Sequence, residues 1–137
     1  MTDKFVDLSG LEALVQSQEE GIDVEILNER GQPLGLTIHI VGPDSERMQK
    51  AIRDIPAEFA KAAAERESLG EAPEDEGDAR MIAILARATV SWAPNPKIGG
   101  HVIPFTEENV RNLYKKFLII KEQIEAKAVR RVSFTRS

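Results

Sequence analysis

Apolar and polar residues alternate through Asp23-Val24-Glu25-Ile26-Leu27 and again through Leu34-Gly35-Leu36-Thr37-Ile38-His39-Ile40-Val41. Between them lies Asn28-Glu29-Arg30-Gly31-Gln32-Pro33, a run of turn formers. Two period-two segments around such a turn predict a β-hairpin. Val24 and Ile26 then share one face of the first strand. Leu36, Ile38 and Ile40 share one face of the second, and a register slip of one residue would expose all three.

Elsewhere the period lengthens to that of helices. Residues 8–18 predict a short helix with Leu11, Leu14 and Val15 on one side, capped by Ser9 and ended by Gly21. Gly42-Pro43-Asp44-Ser45 stops the hairpin, and Asp44 or Ser45 caps the next helix. There Met48, Ile52, Ile55 and Phe59 stack on one face. Pro56 lacks an N–H, which predicts a kink or two consecutive helices, and residues 60–67 are strong helix formers. Asp78 opens a further apolar helix with Met81, Leu85, Ala88 and Trp92 as its stripe. Residues 93–104 hold three prolines and Gly99-Gly100, the mark of a loop or distorted hairpin. Phe105, a Thr106 cap and Val110 then form a hydrophobic staple. Val110, Leu113, Phe117, Ile120 and Ile124 continue one stripe. The expected fold is α+β: an N-terminal β-hairpin with three to four α-helices around a single core.

A chain of 137 residues is one domain by size, residues 1–137. Residues 70–78, with five carboxylates and no base, read as an acidic flexible linker. They lack the calcium-loop pattern of alternating Asp/Asn with a closing Glu. Residues 129–137 read as a basic C-terminal tail. The net charge of −5 conceals an asymmetry. Residues 109–137 carry eight Lys/Arg against Glu122 and Glu125, a net +6, so residues 1–108 carry −11. An acidic body with a basic end either binds an acidic partner, associates with itself head to tail, or is simply a solvated surface.

Candidate chemistry is sparse. The chain has no cysteine, which removes disulfides, thiolate metal sites and cysteine nucleophiles. His39 and His101 stand in no metal-ligand spacing. Phosphate-loop, dinucleotide and serine-hydrolase motifs are absent, so the chain is read as non-enzymatic, with no cofactor and no metal. Trp92, on an apolar stripe, is read as core rather than as an exposed anchor. The mixture of Arg and Phe in Arg130-Arg131-Val132-Ser133-Phe134 is a weak match to a strand-binding arm, and the acidic body opposes a polyanion, so nucleic acid is not the expected partner. No apolar run reaches membrane-spanning length, and Met1–Gly10 lacks the order of a signal peptide, so a cytoplasmic protein is expected.

Three stretches, taken in order, resemble a known family. The first is Pro33-Leu34-Gly35-Leu36-Thr37-Ile38 followed by Val41-Gly42-Pro43-Asp44-Ser45-Glu46-Arg47. The second is Ala88-Thr89-Val90-Ser91-Trp92. The third is Ile103-Pro104-Phe105-Thr106-Glu107-Glu108-Asn109, with Leu113-Tyr114 and then Lys121-Glu122-Gln123-Ile124. Together they cover residues 22–128 and resemble the small tail assembly chaperones of long-tailed (siphovirus-like) bacteriophages and prophages. The family's C-terminal Asp-Arg pair before aromatic residues is replaced here by Arg130-Arg131-Val132-Ser133-Phe134.

The resemblance implies a non-enzymatic helper in the bacterial host cytoplasm. It implies two partners, the tape-measure protein and the tail-tube protein, and no catalytic residues. A structural virion component, such as a head–tail joining or tail-completion protein, is the alternative. An amphipathic client helix needs an apolar groove. Phe117-Leu118-Ile119-Ile120 exceeds one helix face, so at least one of these residues is expected outside the core. The expected partner-binding set is therefore Tyr114, Phe117, Leu118 and Ile119, rimmed by Lys115, Lys116 and Lys121.

Overall fold

The computed structural model describes residues 4–71 and 77–135. Its α-helices are α1 (Ser9–Glu20), α2 (Glu46–Ser68), α3 (Gly77–Arg87), α4 (Glu107–Lys116) and α5 (Leu118–Ala128), and a 3-10 turn spans Arg131–Phe134. The strands are β1 (Ile22–Leu27), β2 (Pro33–Ile40), β3 (Thr89–Ala93), β4 (Lys97–Ile98) and β5 (His101–Val102). The fold is α+β with an N-terminal hairpin, as the pattern predicts, but with five α-helices among the described residues rather than three to four.

The hairpin forms where alternation places it. Val24 pairs with Ile38 and Ile22 with Ile40, so the apolar faces coincide. Asn28 closes its turn: its side-chain oxygen accepts from the N–H groups of Arg30 and Gln32 at 2.9 and 3.0 Å. β3 then adds antiparallel to β2, giving the order β1-β2-β3. One face of this sheet is buried under α3, α4 and α5. Ile26, Ile38, Ile40, Leu85, Val110, Tyr114, Ile124 and Phe134 are all fully enclosed in that core.

Several expectations are corrected. The helix opened at Asp78 does not reach Trp92: α3 ends at Arg87, and Trp92 stands on β3 opposite Ile38. The stretch Thr89-Val90 is β-branched, and β2 offers it an open edge; strand pairing satisfies its backbone better than another helical turn. The helix after Thr106 is two helices broken at Phe117. Pro56 does not separate two consecutive helices, because α2 runs on through it into an alanine-rich second half. Ile52 lies 46% exposed while Met48, Ala51 and Ile55 fill the core. At the N-terminus, Ser9 is not the cap; Leu8 is, and Asp7 Oδ1 accepts the Ser9 N–H at 2.9 Å. Leu11 and Val15 point outward. Most of the predicted acidic linker, residues 72–76, lies outside the described residues, and Gly77 and Asp78 belong to α3.

The predicted basic tail is also revised. Phe134 is buried in the core, and Arg131 makes a bidentate pair with Asp44, Nε to Oδ2 at 2.6 Å and a terminal nitrogen to Oδ1 at 2.9 Å. Asp44 is held from behind by Gln18, whose side chain donates to Oδ2 at 3.0 Å and accepts the Asp44 N–H at 2.7 Å. One carboxylate thus ties α1, the start of α2 and the C-terminal turn together. A second node centres on Arg87, which donates to both oxygens of Glu58 and both of Glu107. Arg111 adds a bond to Glu107 at 2.8 Å, so α2, α3 and α4 share one charged clasp.

Arg131, and after it Gln18, pull the Asp44 carboxyl from its ordinary 3.8 down to about 2. Arg87 likewise lowers Glu58 and Glu107. A carboxyl depressed in the folded state stabilises the fold fully above its unfolded pKa and loses that contribution as pH falls through the folded one. Thermal stability should therefore drop between about pH 4 and pH 2. Asp44→Asn should melt below wild type at pH 6, and the gap should close as the pH approaches 2. A gap that stays constant over that range would show that Asp44 is not depressed.

Candidate functional site

α4 and α5 meet at one residue. Phe117 takes φ −118° and ψ 86°, ending α4 and starting α5 at once. Its N–H still donates to the Leu113 carbonyl at 2.9 Å, and its own carbonyl accepts from Ile120 and Lys121. No glycine or proline is involved. α4 packs on α3 with Val110, Leu113 and Tyr114 buried, and α5 packs on both β1 and α3 with Ile120, Ile124 and Ala128 buried. Gln123 fastens α5 to the sheet edge. Its amide accepts the Leu27 N–H and donates to the Leu27 carbonyl, both at 2.8 Å, as a neighbouring strand's peptide group would.

The turn at Phe117 opens a groove of about 460 Å3, within the range of pockets that bury ligands of side-chain size and larger. Leu113, Phe117, Ile119 and Ile120 form its helical wall. Its opposite wall is Leu34-Gly35-Leu36 of β2. The pairing of β1 with β2 shifts register between Glu25 and Leu27, and Gly35 at φ +87° supplies the left-handed backbone this irregularity needs. The floor comes from Pro94, Pro96 and Ile98, in the connection from β3 into the small β4–β5 hairpin. Gly99 and Gly100, at φ +57° and +82°, form its two-residue turn, where two positive φ angles match the twist of the strands.

The expected partner-binding residues divide. Phe117 and Ile119 line the groove, and Leu118 lies beside them, 57% exposed. Lys115 and Lys116 are exposed on the last turn of α4, and the Lys116 ammonium sits 5.8 Å from the Phe117 ring centre. Tyr114 does not belong to the surface. It is fully buried, its hydroxyl 2.7 Å from Thr89 Oγ1, which in turn donates to the Leu85 carbonyl. Burial raises its pKa. Tyr114 lies four residues after Val110, on the buried face of α4. Lys121 is also withdrawn: its side chain is mostly covered and its ammonium pairs with Glu125 at 3.1 Å. Lys97, an exposed residue of the groove's lining, supplies a cation outside the expected set.

Leu34, Leu36, Pro94, Pro96 and Ile98 were likewise not selected. One signal pointed to them: a glycine inside an apolar strand pattern marks a bulge or a close approach. The histidines do not converge. His39 lies between Asp23 Oδ1 and the Glu20 carbonyl, each at 2.8 Å, and His101 is exposed on β5. Among the described residues, no three His, Asp or Glu side chains gather as metal ligands, and no helix is long and apolar enough to cross a membrane. No family model matches the chain, nor does any curated protein or solved structure.

Proposed function

We propose that this chain is a non-enzymatic phage or prophage tail assembly chaperone that holds an amphipathic helix of the tape-measure protein in the groove at the α4–α5 break. The observation that carries this reading is the groove itself: apolar walls, open to solvent, with Leu118 and Ile119 presented beside it and Lys97, Lys115 and Lys116 on or near its rim. A helical client lays apolar side chains at helical spacing into such a groove and keeps its charged flanks outside. Lysines at the rim favour acidic flanks, and coiled-coil sequences carry charged residues on either side of their apolar seam. A client held this way has its seam covered until tube subunits polymerise around it. The resemblance over residues 22–128 supplies the client's identity.

The test is co-expression with a tape-measure protein encoded beside this chain. Wild type should keep the client soluble. Leu118→Glu/Ile119→Glu changes two exposed positions and should fold normally, yet leave the client as insoluble as it is alone. A client equally soluble with the double variant would rule out the groove. Persistence of the chain in purified, finished particles would instead favour a structural virion component.

A further inference from the structure

The sheet order β1-β2-β3 leaves one side of β1 without a neighbouring strand. In an antiparallel pair, successive residues aim their backbone N–H and C=O groups to opposite sides of the strand. The hairpin turn fixes which residues of β1 face outward. Asn28 donates its N–H to the Gln32 carbonyl at 2.8 Å, so it faces β2. Leu27, which bonds Gln123 instead, faces away. The register shift lies on β2, where residues 33–37 face residues 25–27, so β1 itself stays regular. Glu25 and Asp23, two and four residues before Leu27, therefore face away as well. Among the described residues, no loop or side chain takes up their outward N–H and C=O groups. Beside those groups lies a cleft of about 480 Å3, walled by β1, by Lys127 of α5 and by Ser133 of the C-terminal turn. It shares no lining residue with the groove at Phe117.

Gln123 shows what this edge takes. Its amide donates to the Leu27 carbonyl and accepts the Leu27 N–H, as the first peptide group of a further strand would. The positions at Glu25 and Asp23 continue that line and stay open. An open strand edge is a template for extended chain. Side chains decide which chain. Asp23 and Glu25 stand exposed on the solvent face of the sheet, in the acidic part of the sequence. Residues directly opposite one another on paired strands attract when their charges differ and repel when they match. The β1 edge of a second copy would set these carboxylates against their own kind, so the edge selects a different, basic chain.

We propose that β1 accepts, at Asp23 and Glu25, an extended segment of another protein in which Lys or Arg alternates with uncharged residues, and that this segment becomes a fourth strand of the sheet. Main-chain hydrogen bonds supply the attraction, and the alternate cations supply the selection. A helical client in the groove and an extended segment on the edge can be held at once, because the two sites share no residue.

The probe is a short capped peptide in which lysine alternates with valine, and nuclear magnetic resonance of the full chain follows single amides. In the free chain the amide protons of Asp23 and Glu25 should exchange fast. Those of Val24, which faces β2, and Leu27, which bonds Gln123, should exchange slowly. Peptide at about ten times its Kd should slow Asp23 and Glu25 roughly tenfold and leave the other two unchanged. Residues opposite Asp23 and Glu25 aim their own N–H groups at β1. Methylating the lysine backbone nitrogens removes those donors and keeps every charge, so binding should fall by about tenfold or more. Glu25→Lys changes an exposed side chain and should weaken binding severalfold. If dichroism shows that this variant is unfolded, a peptide with glutamate in place of lysine tests the same charge selection and should not bind.

Slow exchange at Asp23 and Glu25 in the free chain overturns the proposal, as does a lack of binding. Equal binding of the methylated peptide overturns it too, since that marks a general attraction to an acidic surface. Equal binding by Glu25→Lys, or by the glutamate peptide, removes the basic segment as the occupant. Leu118→Glu/Ile119→Glu should bind the peptide like wild type. Failure of the strand site and failure of the chaperone groove are thus read separately.

Discussion

Trp92→Ala is expected to destabilise the protein by about 3–5 kcal/mol, the range for truncating a large buried aromatic. Trp92 is 6% exposed on β3, opposite Ile38, with its ring edge-on to Phe105 at 5.3 Å between centres. Its indole N–H donates to Asn95 Oδ1 at 3.0 Å, so the polar end is satisfied where it leaves the core. Truncation removes the ring that joins the sheet to the loop entering α4. The cavity left behind borders the β3–β4 connection, whose Pro94 and Pro96 support the groove. Denaturant titration followed by far-ultraviolet dichroism measures the loss. Because this is the sole tryptophan, wild-type emission reads the site directly. It should be that of a buried indole and shift to longer wavelength only on unfolding. Water-exposed emission from the native protein would contradict the placement.

Phe134→Ala is expected to cost about as much, roughly 3–5 kcal/mol. The residue lies in a 3-10 turn three residues from the last one, where disorder is common, yet it is completely buried. The turn packs against α1 and α5, and Arg131, three residues earlier, grips Asp44. Removing the ring leaves the Asp44 pair to hold the C-terminal segment alone, and a partly exposed ion pair contributes little. α1 should loosen as well, since Gln18 and Arg131 share Asp44 as partner. Hydrogen exchange should show lost protection in both α1 and the end of α5. A variant as stable as wild type would mean that residues 131–135 do dangle as the basic tail that composition suggests.

Alternation and helical spacing were enough for the hairpin, its face, the caps at Ser45 and Thr106 and the single core. Each depends on contacts a few residues apart: a period-two stripe, a hydroxyl three residues from an N–H. Ser45 Oγ accepts the Met48 N–H at 3.1 Å, and Thr106 Oγ1 accepts that of Asn109 at 3.0 Å. The surplus of apolar residues at 117–120 was also legible, since four in a row cannot share one face of a helix. Leu118 does remain largely exposed, and Ile119 partly so.

Where pattern reading failed, the deciding partner was distant in sequence. Thr89–Ala93 forms a strand because β2, some fifty residues upstream, has an edge to fill. Phe117 breaks a helix without glycine or proline, and beyond it α5 meets β1, some ninety residues upstream, as well as α3. Tyr114 turns inward because Thr89 waits there to accept its hydroxyl. Phe134 is core, and not tail, because its turn packs on α1 and α5, the first more than a hundred residues upstream. The sequence by itself determined which residues must avoid water and in what local rhythm. Only the tertiary structure decided which of them cover one another. Burial is a property of pairs brought together from afar, and so the leucines of α1 and the groove at Phe117, left over from that pairing, could not be read from either stretch alone.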